Sequence, residues 1–142
     1  MSYLLDTNVV SEWVKPRPDP HLGMWLDEVN DEQVFLSVVS LAEIRRGIEL
    51  MAVGTRRDRL AGWLSNELPE RFERRVLSID AAIADAWGVI MARARRDGIG
   101  LDTMDAFLAA TADVYGMTLV TRNTSDFVRL GVVLLNPWQP PQ

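Results

Sequence analysis

The stretch Tyr3-Leu4-Leu5-Asp6-Thr7-Asn8-Val9 decides how the rest of the chain is read, because a short apolar run ends abruptly there in an aspartate. An apolar run without alternation has the pattern of a strand buried on both faces, as in parallel sheets. A carboxylate at the carboxyl end of such a strand sits at the edge where open α/β sheets place their ligands. The local alternative is that Asp6 and Asn8 cap a following helix, a use worth about 1 kcal/mol. What decides between the two is which distant residues share that edge.

Outward from this stretch, apolar runs alternate with helical periodicity. Thr7 or Asn8 can cap a helix to about residue 14, which Lys15-Pro16-Arg17-Pro18 then stops. Asp19 and Pro20 have the character of a cap and first residue, and Leu22, Trp25, Leu26 and Val29 recur at helical spacing behind them. Further helices are predicted over 39–52, closed by Gly54; over 56–68, ended by Pro69; from Asp80 to about 96; and from about 103 to Tyr115-Gly116. Strands are predicted at 33–37, 76–79, 117–121 and 132–135, with a polar loop over 122–126. Asn136-Pro137-Trp138 opens a short extended, proline-rich tail over 136–142. The alternation predicts an α/β fold with a central, mostly parallel sheet of about five strands flanked by helices. The 142 residues fit one domain.

Composition excludes several chemistries. Cysteine is absent, which removes disulfides, thiolate zinc sites, iron–sulfur clusters and a cysteine nucleophile. The longest apolar runs, 34–36 and 131–135, fall far short of the roughly 20 residues of a membrane helix. Asp6 and Glu12 interrupt the region where a signal peptide needs an apolar core, so the expectation is a soluble, cytoplasmic protein without membrane contact. The net charge of −5 argues against a nucleic-acid ligand. Its distribution weakens that objection, since residues 44–99 carry eleven basic and eight acidic side chains. Fourteen of the fifteen basic residues are arginine, which suits bidentate phosphate contacts and equally reflects the base composition of a genome.

The predicted layout brings carboxylates to one sheet edge. Asp6 ends the first strand, Glu43 lies in the first turn of the helix after the second, Asp105 opens a later helix, and Asp126 follows the fourth strand. Like charges gathered there raise one another's pKa values or recruit a cation. Oxygen ligands without histidine or cysteine point to Mg²⁺ or Mn²⁺, and from there to phosphoryl transfer by metal-activated water. Each residue also has a plain structural use. Ser40-Leu41-Ala42-Glu43 matches a capping box, Asp105 complements a helix dipole, and Asp126 can bond its own loop. The single histidine, His21, lies in a proline-flanked segment and gives serine-hydrolase chemistry no support, and the glycines form no phosphate-binding loop. The five tryptophans fall mostly at core spacing rather than as base-stacking platforms.

Five segments in order carry a resemblance: 4–12 (LLDTNVVSE), 36–47 (LSVVSLAEIRRG), 105–112 (DAFLAATA), 119–127 (LVTRNTSDF) and 136–138 (NPW). Together the chain resembles the PIN-domain ribonucleases, and within them the VapC-type toxins of the FitB-like branch. The resemblance implies a PIN-like fold and a Mg²⁺-dependent endoribonuclease, with Mn²⁺ as a possible substitute. It places the acidic set on Asp6, Glu43 and Asp105, with Asp6 and Asp105 as metal ligands. Many relatives have an acid directly after Thr-Arg, where this chain has Asn123, so Asn123 reads as a neutral ligand or water-holder and Asp126 as the residue that restores the charge. Thr121 would orient a metal-bound water, Asn8 would support the first strand's end, and Arg45 and Arg46 would meet RNA or a partner. The family further implies an RNA substrate, a cognate antitoxin protein and a homodimer. The rival readings are an RNA-maturation nuclease without antitoxin, a degenerate PIN-like binding module, and a receiver-like domain, the last weakened because Lys15 lies away from any strand end.

Overall fold

In the computed structural model, which describes residues 1–140, the opening run forms β1 (Tyr3–Leu5) at the centre of a five-stranded sheet of order β3-β2-β1-β4-β5. The other strands are β2 (Val34–Ser37), β3 (Val76–Leu77), β4 (Thr118–Val120) and β5 (Leu134–Leu135). Every pairing is parallel, so the sheet expected to be mostly parallel is wholly so. All five carboxyl ends therefore open onto one edge. Tyr3 pairs with Val34 on one side and Thr118 on the other, which sets the ends of β1, β2 and β4 level with one another.

Helices cover both faces: α1 (Thr7–Trp13), α2 (Pro20–Glu28), α3 (Val38–Glu49), α4 (Thr55–Gly62), α5 (Leu68–Phe72), α6 (Ala81–Arg96), α7 (Thr103–Tyr115) and α8 (Thr124–Phe127). The period-two geometry of a strand splits the core. Leu5, Leu36 and Val120 face α1, α2 and the α4–α5 region through Val9, Val10, Leu22, Leu64, Leu68 and Phe72. Leu4 and Leu119 face α7 and α8 through Leu108, Ala109, Ala112 and Phe127. The continuous apolar run at β1 is thus explained, because both of its faces are wholly buried. The tryptophans pack as expected: Trp13 and Trp25 meet Phe72 and Tyr3 edge to face, Trp63 and Trp138 lie against the first core, and Trp87 stacks on Phe107 at 5.1 Å.

Five local expectations need correction. The α3 cap is Ser37, which accepts from the Val39 N–H at 3.0 Å, so the capping box over Ser40 and Glu43 does not form and Ser40 lies inside the helix. Gly54 starts α4 rather than closing α3. Pro69 does not end the fourth helix, because a π-helical turn (Trp63–Glu67) precedes it and the chain continues into α5. That wider turn accommodates a residue with no N–H to donate. Finally, the loop over 122–126 contains the start of α8, and the tail is not extended at its beginning: the Asn136 side chain accepts from the Trp138 N–H and closes a turn. Residues 141 and 142 of the tail lie outside the described residues.

Candidate active site

Asp6 sits where the end of β1 meets the start of α1, and it is nearly buried at 4 % exposure. It is the α1 cap, taking the place expected for Thr7 or Asn8, with Oδ1 accepting from the Thr7 N–H at 2.7 Å. Oδ2 accepts from the Thr121 hydroxyl at 2.7 Å. Thr121 directly follows β4 and its own N–H bonds to the Leu135 carbonyl, so three neighbouring strands fix this contact. Capping and convergence are therefore not alternatives. One oxygen of Asp6 starts a helix while the whole carboxylate faces the shared edge.

Glu43 reaches the same edge from α3. The Thr7 hydroxyl donates to its Oε1 at 2.7 Å and lies 3.0 Å from the buried Ser40 hydroxyl. Freed from the capping box, Glu43 is held across elements by Thr7. Asp105, in the first turn of α7, is half-buried. Burial first, then the charges of Asp6, Asp102, Glu43 and Asp126, push its pKa up to about 7. Burial likewise raises the pKa of Asp6, against the lowering effect of its bonds from Thr121 and Thr7, with Glu43 and Asp126 adding repulsion. Asp126 in α8 is exposed, and its charge adds a smaller part to the upward shifts of Asp6 and Asp105.

The remaining residues singled out in the sequence are placed as follows. The Asn123 N–H donates to the Thr121 oxygen at 3.0 Å. The Thr121 hydroxyl donates to Asp6 and so orients that carboxylate. Asn8 Oδ1 lies at the outer limit of bonding, 3.5 Å from the Arg122 N–H. Arg45 donates to Ser65 in the π turn, and Arg46 is exposed in the last turn of α3. Neither arginine pairs with a carboxylate among the described residues. Sequence reasoning placed Thr7 beside Asp6 as a cap or support but missed its bond to Glu43, and it missed Ser40 as its buried neighbour and Asp102. Asp102 caps α7 by accepting from the N–H groups of Met104 and Asp105, and its position three residues before Asp105 was the available signal.

The donor set suits a hard divalent cation in kind, being oxygen only. In arrangement the carboxylates share a field rather than a point. Among the described residues no three acidic side chains converge closely enough to enclose an ion as they stand.

Fold and site together make this an α/β domain with a wholly parallel sheet and carboxylates gathered at its carboxyl edge. This chain belongs to the PIN domain family, whose model matches residues 3–133. It is similar to the "Toxin FitB" of Neisseria gonorrhoeae, 35 % identical over 135 residues that cover 95 % of this chain and 97 % of that one. It is also similar to the "VapC ribonuclease Y4jK" of Sinorhizobium fredii, 36 % identical over 96 % of this chain and 98 % of that one. The solved structure titled "Structure of FitAB bound to IR36 DNA fragment" superposes with a TM-score of 0.91 at 34 % identity, covering 99 % of this chain and 98 % of that one.

Proposed function

We propose that this protein is a metal-dependent endoribonuclease that hydrolyses RNA phosphodiester bonds, the toxin of a toxin–antitoxin pair, with residues 1–142 acting as one PIN domain. The observation that carries the reading is the gathering of Asp6, Glu43 and Asp105 at one sheet edge, where Thr121 and Thr7 hold the first two, and where burial and then the neighbouring carboxylates raise the pKa of Asp105. A cation there would offset the repulsion and let the carboxylates ionise together. Similarity to the ribonuclease and toxin named above supports the substrate class and the biological role.

In this reading Asp6 and Asp105 hold Mg²⁺, or Mn²⁺ in its place, and Glu43 and Asp126 complete the acidic set. When bound, the ion supplies charge for the phosphate and makes its bound water more acidic. The chain's own work is positional. Thr121 and the Thr7 N–H hold the Asp6 carboxylate from two sides, and the Thr7 hydroxyl holds Glu43. Asn123 fixes the Thr121 oxygen through its backbone N–H. Arg45 and Arg46, one turn along α3 from Glu43, offer charge for the RNA backbone. The partners of this reading are a cognate antitoxin protein that blocks the crevice and a second copy of the chain in a homodimer. Its compartment is the cytoplasm, and no helix among the described residues is long and apolar enough to cross a membrane.

The test is incubation of antitoxin-free protein with total RNA in Mg²⁺ or Mn²⁺, against EDTA, with the cleavage ends mapped. Metal-dependent cuts at defined positions are expected. Their absence, from protein shown to be folded, would leave a binding module. A small antitoxin-like reading frame beside the gene separates a toxin from a maturation nuclease.

A further inference from the structure

A groove of about 280 Å³ runs between α1, α3 and α4 and opens directly onto the acidic crevice, since Thr7 and Glu43 line both. Away from that junction its lining changes character. Trp63, Leu60, Lys15, Arg56, Arg59 and Gly47 form walls that are apolar at depth and cationic at the rim. Lys15 is shared with Glu12 at 2.9 Å, whereas Arg56 and Arg59 have no acidic partner among the described residues. This is a charge pattern opposite to that of the crevice beside it. An apolar wall with an aromatic ring, edged by free guanidinium groups and adjoining a site for phosphodiester chemistry, matches how single-stranded RNA is recognised, by stacking an unpaired base and holding its phosphates.

Two features of the backbone sharpen the match. Gly47 lies in the last turn of α3, still within the helix, where alanine would favour the helical backbone. A Cβ there would meet nothing within 4 Å, so packing does not require the glycine, and Gly47 lines the groove with bare backbone. Trp63 is the first residue of the π-helical turn, an irregularity that re-aims side chains and recurs at functional sites.

We infer that the groove between α1, α3 and α4 is a subsite for one unstacked nucleotide of single-stranded RNA, next to the bond cut at the acidic crevice. The base packs against Trp63 and Leu60, and Arg56 and Arg59 meet the adjoining phosphates. This rests on the nuclease reading for its chemistry, though not for its binding.

The test uses the full chain, a fluorescently labelled single-stranded RNA of mixed sequence in EDTA for binding, and the same RNA with Mn²⁺ for cleavage. Gly47→Leu fills the groove while favouring the helix, and melting curves confirm its fold. It is expected to weaken RNA binding by about tenfold, the size of one stacked base. The double variant Arg56→Ala, Arg59→Ala, which leaves the groove open, should lower the slope of log K against log salt by about 1.4, two phosphate contacts at about 0.7 each. With Mn²⁺, base preference at one position beside the cut should relax in Gly47→Leu. Folded variants that bind RNA and cut at the same positions as the parent overturn the subsite and leave the nuclease intact. If the parent cuts no RNA, the nuclease reading fails and the binding arm alone decides the subsite. Loss of a co-expressed neighbouring-frame protein by Gly47→Leu, with RNA binding unchanged, assigns the groove to a protein partner and also overturns the proposal.

Discussion

Asp105 joins electrostatics to function at the scale of a single residue. Its folded-state pKa of about 7 lies above the unfolded value near 3.9, so the folded protein holds a proton that the unfolded chain has released. The sign follows directly: this group's stabilising contribution is full below about pH 4 and is lost as pH rises through about 7. Asp6 is shifted in the same direction. The metal-free protein should therefore lose stability across that window in thermal melts, and Asp105→Asn should flatten the loss. The same variant should abolish cleavage while being equally or more stable at pH 8, as sites that trade stability for function are. A loss of about 1 kcal/mol with cleavage intact would return Asp105 to a helix-start role. Thr7 makes a second residue-scale case. Thr7→Val keeps the shape and removes the hydroxyl that holds Glu43, so a stability cost of about 1 kcal/mol is expected together with a larger loss of cleavage. Thr7→Ser should retain most of both. Equal cleavage by Thr7→Val in a gel assay would detach Glu43's placement from catalysis.

At the scale of elements, the periodicity located almost every helix and strand, and it erred where side chains and backbone compete for the same caps. Ser40 and Glu43 match a capping pattern in spacing, yet the helix begins three residues earlier, at a Ser37 that ends β2 and is wholly buried. Ser37→Ala is predicted to cost about 1 kcal/mol, read from a urea midpoint, because the Val39 N–H would lose its partner. An unchanged midpoint would place the cap elsewhere. Pro69 shows the complementary failure. Proline ends a regular α-helix, but a π turn just before it changes which donors are needed, and no residue pattern announces a π turn. Asp19 and Pro20 were legible because cap and first residue are adjacent in the chain and use only local geometry.

At the scale of the whole molecule, the acidic crevice exists because five parallel strands end on one edge, and a cation held there would bind the folded chain alone. Addition of Mn²⁺ or Mg²⁺ should raise the melting temperature, with about 2.7 kcal/mol of stabilisation at a hundredfold excess over Kd. The rise should be larger at pH 8 than at pH 6, since the proton on Asp105 competes with the ion. Calorimetry against an EDTA control measures both, and a pH-independent rise would place the ion elsewhere. The apolar run of β1, the alternation of strands and helices, and the recurrence of acids after strands were properties of the sequence alone, because burial pattern and chain order are written locally. The family match also rested on sequence, since its segments keep their order and spacing. What only the tertiary structure decided was who touches whom: that Thr121 holds Asp6 across 115 positions, and that Thr7, not a capping box, holds Glu43. Those contacts depend on strand order and register, which place distant residues within a few ångströms, and no local pattern encodes that distance.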